Sequence, residues 1–463
     1  MTDKARSVPN SKAPLAQVSA PGMSIGMAWY MIGALFLIYV LAWLDRLIIS
    51  MMVEPVKATL HLSDFQMSLV LGPAFAISYA IFGIPLGWAT DLFSRRLVIF
   101  FGVIVWSVAT LGCAFATSFH FLILCRIFVG VGEASLLPAA YSLIADAFPR
   151  DKVTFATSVF QTAGKLGSAV AFGLGGLLIA LSRSLEGVSW PLHGHASDWQ
   201  ITFAMIALPG FALALLVFTF PDPGRQGRRD TGAAAAAPDE ALLPFLRRQA
   251  RLLSLMAVAF TALAVVGYSM TSWVPTFISR RFGWTPEYYG PALSIMNIFG
   301  AASLVALGKS VDVLFGRGMR DAHLRFYSWV ILALSPAIIA AFFVSNVFLF
   351  LVLYALIQLI TVPYIVYCSA LIAMLAPSGL RGRLLGLFMF ITNIVGFGLG
   401  PAIVGALTDF LFQDEAAIGS SLAVVVIIGS SIALVALRLA LSPLRSAMDS
   451  LHGHKTLAAD ASS

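Results

Sequence analysis

Twelve apolar stretches, each long enough to cross a bilayer, leave this chain of 463 residues few folding choices. A hydrocarbon layer about 30 Å thick is spanned by roughly 20 apolar residues in a helix. Runs of that length stand at about 27–52, 64–90, 96–116, 119–146, 152–181 and 199–220. A second six follow at 251–279, 287–314, 323–345, 347–376, 383–412 and 418–441. Within lipid every backbone N–H and C=O must be satisfied inside the segment, so runs like these fold as helices. The expectation is an all-α membrane protein with twelve transmembrane helices in two sets of six. Only 11% of residues are charged, against roughly 25% in soluble domains.

The organisation that follows is a polar, disordered arm over 1–26, a six-helix unit over 27–220, a linker over 221–250, a second unit over 251–441 and a tail over 442–463. The linker opens on Pro221-Asp222-Pro223-Gly224, carries Arg225, Arg228 and Arg229, and ends in a short amphipathic segment around Phe245. Of the 29 Lys and Arg, 22 fall on the side holding the linker and both termini. Four fall on the other side (Lys57, Arg183, Arg280, Arg281) and three within helices. Basic loops stay in the cytoplasm, which places both termini there and the protein in the inner (plasma) membrane.

The net charge of +7 is spread over loops between apolar runs, unlike the single basic face that binds nucleic acid. Cys113, Cys125 and Cys368 all lie inside apolar runs, as core filler and not as a disulfide framework. The His193-Gly194-His195 and His452-Gly453-His454 pairs lack further ligands, so no metal is expected. Gly308-Lys309-Ser310 ends like a phosphate loop, but Ser303 stands where the first glycine is required. No cofactor is indicated, and no hydrolase triad.

Gly87-Trp88-Ala89-Thr90-Asp91-Leu92-Phe93-Ser94-Arg95-Arg96 separates the second and third runs. A similar stretch, Gly308-Lys309-Ser310-Val311-Asp312-Val313-Leu314-Phe315-Gly316-Arg317, separates the eighth and ninth. The spacing resembles the G-x-x-x-D-x-x-G/S-R-R/K loop of the major facilitator superfamily. That resemblance covers about residues 27–441 and implies two pseudo-symmetric six-helix bundles rocking about a midplane cavity. It also implies a conformational clamp: Gly87 and Gly308 allow close helix approach, Asp91 and Asp312 meet a helix N-terminus, and Arg95, Arg96 and Arg317 complete the contact. The clamp is expected to close the cytoplasmic face when the cavity opens outward.

Charges deep in a bilayer are costly and are functional candidates by default. Five occur, all in the first half: Asp45 and Arg46 in the first helix, Arg126 and Glu133 in the fourth, Lys165 in the fifth. At ~1.5 Å per residue, Asp45 and Arg126 reach similar outer depths. Glu133, two turns beyond Arg126, returns to nearly the same face closer to the centre. Asp45 and Arg46 diverge by ~100° and cannot share a partner. Two acids against three bases leave one net positive charge, which an anionic substrate group offsets. Burial favours a protonated carboxyl and a nearby arginine an ionised one, so a partner that swings away converts motion into proton binding or release. Asp45 and Glu133 are therefore the expected proton sites, with Arg46 and Arg126 as mobile partners. The alternative is a static cluster fixing helices 1 and 4.

Arg126-Ile127-Phe128-Val129-Gly130-Val131-Gly132-Glu133-Ala134 resembles the R-x-x-x-G-x-G signature of proton-dependent members. With Asp45-Arg46 and Ile144-Ala145-Asp146-Ala147-Phe148-Pro149-Arg150, it looks like the Spinster branch and its bacterial homologues. That resemblance implies proton-coupled export of lysophospholipids or sphingoid phosphates, with the polar head near the charges of helices 1 and 4. Lys165 stands where drug antiporters of the superfamily have proline; it either meets a substrate phosphate as a point charge or snorkels. Expected substrate-binding residues are Arg46, Arg126, Glu133, Lys165, Tyr268, Trp273, Asn297, Gln358, Tyr364, Tyr367 and Asn393, although membrane polar residues also serve as interhelical glue. Alternatives are a proton-coupled symporter of small organic anions and a multidrug/proton antiporter. Expected partners are an amphipathic or lipid substrate, protons and membrane lipids; the expected state is a monomer.

Overall fold

The computed structural model describes residues 23–149, 152–185, 189–190, 194–224 and 242–460. Twelve helices long and apolar enough to cross a membrane order the chain. They are α1 (Ile25–Met51), α2 (Asp64–Leu92), α3 (Arg95–Ala114), α4 (Phe119–Ala147), α5 (Val153–Ser184) and α6 (Asp198–Phe218), then α7 (Ala250–Phe282), α8 (Pro286–Gly316), α9 (Ala322–Ala341), α10 (Val347–Leu375), α11 (Gly379–Phe412) and α12 (Glu415–Asp449). The helical hydrogen bonding of the last continues to Asp460, well past residue 441. Residues 225–241, most of the expected linker, and nearly all of the expected arm lie outside the described residues. Of the linker's end, Leu242–Arg248 is a short helix with Phe245 buried. The described β-structure is one ladder pairing Ser189 with His195 and Trp190 with Gly194.

Helix starts follow side-chain chemistry. Ser24 caps α1, Ser118 caps α4 and Asn346 caps α10, each accepting from a backbone N–H of the first turn. Ser63 with Gln66 and Ser197 with Gln200 form capping boxes at α2 and α6.

Breaks occur where a proline or a tight crossing demands them. In α2, Gly72 precedes Pro73, which starts the second segment at a position where its missing N–H is harmless. In α4 the first segment ends at Glu133, and Ser135 N–H bonds back to the Gly132 carbonyl in a tightened turn. Glu133 thus sits at a helix interruption in mid-membrane.

Lipid gives little hydrophobic drive for helix association, so close backbone contact carries the packing. A Cβ on Gly132 would lie 2.6 Å from the Gly102 carbonyl oxygen of α3, and one on Gly130 would lie 2.7 Å from the Phe75 carbonyl oxygen of α2. The helix 4 glycines do let neighbouring backbones approach.

The bundles meet at the end away from the termini. Phe172 and Gly176 of α5 press on Gly290 and Pro286 of α8, while Gly72 of α2 presses on Phe397 and Pro401 of α11. Arg280 with Asp64 and Glu54, Lys57 with Glu415, Arg183 with Glu287, Phe65 with Asp409 and Tyr289 with Met51 join the bundles at this end. At the other end, a Cβ on Gly87 or Gly308 meets nothing within 4 Å. In this conformation, therefore, neither clamp glycine is at a close helix approach.

Candidate functional site

Two ion pairs link α1 to α4 inside the first bundle. Arg46 Nε lies 2.5 Å from Glu133 Oε2, and Arg126 Nη1 lies 3.5 Å from Asp45 Oδ1. Asp45, Arg126 and Glu133 are each at most 1% exposed. Adjacent residues on α1 therefore serve different partners, as their ~100° divergence requires. Glu133 reaches across to Arg46 of α1.

Each pair is completed in its own way. Thr110 Oγ1 of α3 donates to Asp45 Oδ2, and Arg126 Nη1 also donates to the Asp45 main-chain carbonyl at 3.4 Å. Arg46 is boxed by aromatic faces, its guanidinium carbon lying 5.4 Å from the Trp43 ring centre, 4.8 Å from Phe75 and 5.2 Å from Tyr79. Asp45 Oδ1, Glu133 Oε1, and Arg126 Nε and Nη2 lack a hydrogen-bond partner. A buried group left unsatisfied costs about 1–3 kcal/mol, more when charged. The cluster therefore keeps unused hydrogen-bonding capacity that a scaffold of fixed ion pairs would have filled.

Lys165 is half-buried on α5 and makes no ion pair among the described residues. Its neighbours Gly164 and Gly167 pack on Trp43 of α1. With the other four charges paired, the surplus positive charge resides on Lys165.

An aromatic chain joins this cluster to the second bundle. Phe75 meets Phe397 of α11 edge-on at 5.2 Å, Phe397 meets Tyr268 of α7 at 5.0 Å, and Tyr268 OH donates to Asn393 Oδ1 at 2.7 Å. Tyr268 and Asn297 are half-buried and Asn393 is exposed. The other four expected cavity residues are packed within the second bundle. Trp273 donates to the Pro401 carbonyl, Gln358 fills the space beside Gly300, and Tyr364 and Tyr367 are buried, the latter edge-on to Tyr327. A buried tryptophan or glutamine in a membrane also serves to bridge helices, as Trp273 does here, while the Tyr367 hydroxyl is buried without a hydrogen-bond partner.

The clamp residues are not engaged as one unit. Arg95 is buried and pairs with Asp146 of α4 and with Asp222, while Arg96 Nη1 donates to the Phe220 carbonyl at 2.7 Å. Asp91, Asp312 and Arg317 are exposed and make no ion pair among the described residues. A cavity of about 520 Å³ lined by Lys309, Val313 and Phe326 lies at this end of α8 and α9, away from the buried charges.

Sequence reasoning missed the contacts that close the far end. Arg280 of α7 binds Asp64 of α2 through both carboxylate oxygens at 2.7 and 2.8 Å, and Glu54 at 2.8 Å. Lys57 pairs with Asp64 and, at 2.9 Å, with Glu415. Asp409 of α11 accepts from the Phe65 N–H at 2.7 Å. These residues look like ordinary loop charges in the sequence; an acid opening α2 and a basic pair closing α7 were the available hints.

Two bundles of six helices around buried charges, joined by ion pairs at the end away from the termini, have the architecture of a secondary transporter. A family model for the Major Facilitator Superfamily matches residues 35–320, and the chain belongs to that superfamily; it is a transporter and not an enzyme. It is 29% identical over 399 residues to an MFS-type efflux pump of Mycolicibacterium smegmatis, across 84% of this chain and 86% of that protein. It is 25% identical over 409 residues to a hexuronate transporter of Bacillus subtilis (84% and 92%), and 26% over 427 residues to Protein spinster homolog 3 of Danio rerio (87% and 82%). A solved bacterial homologue of the human lysosomal transporter Spinster, inward-facing and unoccupied, matches with a TM-score of 0.77 at 21% identity, covering 92% of this chain and 99% of that one. Together these support the Spinster branch that the motifs of α1 and α4 resemble.

Proposed function

We propose that the protein is a proton-coupled exporter of amphipathic lipids of lysophospholipid or sphingolipid type. The observation that carries this reading is the pair of ion bridges, Asp45 with Arg126 and Arg46 with Glu133, buried inside the first bundle with Asp45 Oδ1 and Glu133 Oε1 accepting no hydrogen bond. Each carboxylate is held by one arginine. When a substrate group draws that arginine away within the first bundle, a buried anion is left and proton uptake relieves it. The conformational change and the protonation then drive one another.

The amphipathic substrate follows from the contrast between bundles. The first offers paired charges and the surplus cation of Lys165; across the Phe75, Phe397 and Tyr268 contacts the second offers an aromatic wall with Asn393 at its edge. A polar head suits the one side and an acyl chain the other. The resemblance of the α1 and α4 motifs to the Spinster branch implies a lipid-type substrate, and both termini are assigned to the cytoplasm by the basic loops at their end.

The surplus positive charge favours a second reading, symport of a small organic anion, in line with similarity to a hexuronate transporter. Purified protein in liposomes separates the two. Uptake of fluorescent lysophospholipid that responds to an imposed pH gradient supports lipid export; gradient-driven uptake of short carboxylates with no lipid flux supports the anion reading. Flux that ignores the gradient contradicts both.

A further inference from the structure

The start of α2 carries a donor that its own sequence does not satisfy. Ser63 Oγ accepts from the Gln66 N–H at 3.2 Å, and Gln66 Oε1 accepts from the Ser63 N–H at 3.0 Å. This capping box serves two of the four orphan N–H groups at a helix start. The Phe65 N–H is another, and its acceptor comes from the other bundle: Asp409 of α11 takes it through Oδ2 at 2.7 Å. Among the described residues the Asp409 carboxylate makes no ion pair, so the positive end of the α2 dipole is its counter-charge.

The surroundings of Asp409 are built for this contact. α11 turns π-helical over Leu407–Phe412, a departure that changes the angle at which side chains leave a helix and that is frequent at functional sites. Thr408 in that turn is tied to Ser421 of α12 at 2.8 Å. One turn earlier, a Cβ on Gly405 would lie 2.7 Å from the Asp64 carbonyl oxygen, so the two backbones touch, and the Phe410 ring lies 5.2 Å from that of Phe65. The same physics is what the clamp motif implies for Asp91. Asp91 stands in the last turn of α2 and Asp409 in the last turn of α11. A carboxylate there is disfavoured by its own helix dipole and gains by meeting the N-terminus of another helix. In this structure Asp409 is engaged in that way and Asp91 is exposed.

We infer that Asp409 is a positioning residue of the transport cycle, an outer clamp on the N-terminus of α2 that opposes the clamp of Asp91 at the other end of the same helix. Asp409 stabilises the conformation in which the far end is joined; Asp91 stabilises the one in which it has parted. Breaking the outer contact leaves the Phe65 N–H without its acceptor and the Asp409 carboxylate against the negative end of its own helix. Closing of the Asp91 contact offsets that loss, so the two aspartates keep the two conformations close in free energy. The inference holds for a lipid and for a small anion alike, since neither aspartate touches the buried charges of α1 and α4.

The rate at which maleimide labels Ser68→Cys tests the clamp on purified full-length protein. Ser68 is fully buried against Gly405 of α11, so its labelling rate follows the population whose far end has parted. Asp409→Ala is expected to raise that rate about fivefold, the size of one anion contact with a helix N-terminus. Asp91→Asn is expected to lower it by a similar factor, and the double variant to return close to the rate of Ser68→Cys alone. A residue that only supports the fold would not give opposite signs at the two ends of one helix. Native Cys113, buried inside the first bundle, is expected to stay unlabelled throughout, which separates opening from unfolding. Should Asp409→Ala expose Cys113, Asp409→Asn, which keeps an acceptor oxygen and loses the charge, carries the comparison with a smaller rise. An unchanged rate in the folded Asp409 variant, or an Asp91→Asn rate that rises with it, overturns the outer clamp. No substrate enters this measurement, so its failure leaves the transport reading standing.

Discussion

Arg280 of the second bundle grips Asp64 of the first through both carboxylate oxygens, at 2.7 and 2.8 Å. Asp64 is fully buried and Arg280 nearly so, and Glu54, Lys57 and Glu415 surround them. The pair joins α2 to α7 across the bundle boundary, so the far end parts only when it breaks. It holds the two bundles together at the end away from the termini, apart from the buried pair of Arg46 and Glu133.

Removing one partner of a buried pair costs about 3–5 kcal/mol, and Lys57 remaining beside Asp64 puts Arg280→Ala near the lower end. About 3 kcal/mol is a change of more than a hundredfold in the ratio of closed to open far ends. Ser68 lies under this contact, facing Gly405 of α11. A cysteine at Ser68 is expected to resist maleimide in the wild-type background and to label readily with Arg280→Ala, while Arg280→Lys stays largely protected. The native cysteines are buried and contribute little background.

A side chain at Gly176 is expected to prop the far end open without unfolding either bundle. Its Cβ would lie 2.4 Å from the Pro286 carbonyl oxygen, a backbone atom with no rotamer to escape by. Overpacking of this kind costs about 1–3 kcal/mol, borne by the closed conformation alone. Spin labels at His61 and Gln413, one on each bundle, are expected to move apart in Gly176→Leu while transport falls several-fold. An unchanged distance with full transport contradicts the closed contact.

Arg95 and Asp91 are neighbours in the clamp motif with opposite expected phenotypes. Arg95 holds Asp146 and Asp222 in the present conformation, so Arg95→Ala is expected to lower the melting temperature. The loss falls below that for a fully buried pair, since both carboxylates are partly solvated. Asp91 is exposed, so Asp91→Asn is expected to leave thermal stability unchanged and to slow turnover by destabilising the conformation in which the clamp closes. Thermal melts run beside initial transport rates distinguish the two.

Trp273 and Tyr268 test which polar aromatics of the second bundle meet substrate. Trp273→Phe removes the hydrogen bond to Pro401 and is expected to cost about 1 kcal/mol of stability with KM unchanged. Tyr268→Phe releases Asn393 at the edge of the aromatic wall and is expected to raise KM with little change in melting temperature.

Length and hydropathy made the twelve helices legible, because lipid permits few backbone solutions. The pairing of Asp45 with Arg126 was legible too, since both lie at one depth on helices of known direction. The pairing of Glu133 with Arg46 was not legible: helical periodicity reports the face within one helix and says nothing of how α1 and α4 are rotated against each other. The Arg280 lock was invisible because a loop charge and a buried interbundle charge look identical in one dimension. Trp273, Gln358, Tyr364 and Tyr367 show the converse, polar groups whose chemistry resembles a binding site and whose packing makes them interhelical contacts. The clamp contact that the motif of Gly87 and Asp91 implies is not formed in this structure, where Asp91 is exposed and a Cβ on Gly87 meets nothing within 4 Å.

The coupling role of the two buried pairs is tested most directly by gradient-driven accumulation in liposomes. With Asp45→Asn or Glu133→Gln the protein is expected to bind fluorescent lysolipid and equilibrate it downhill, and to lose accumulation against its gradient when a pH difference is imposed. Accumulation at the wild-type level in both variants contradicts proton coupling through these carboxylates.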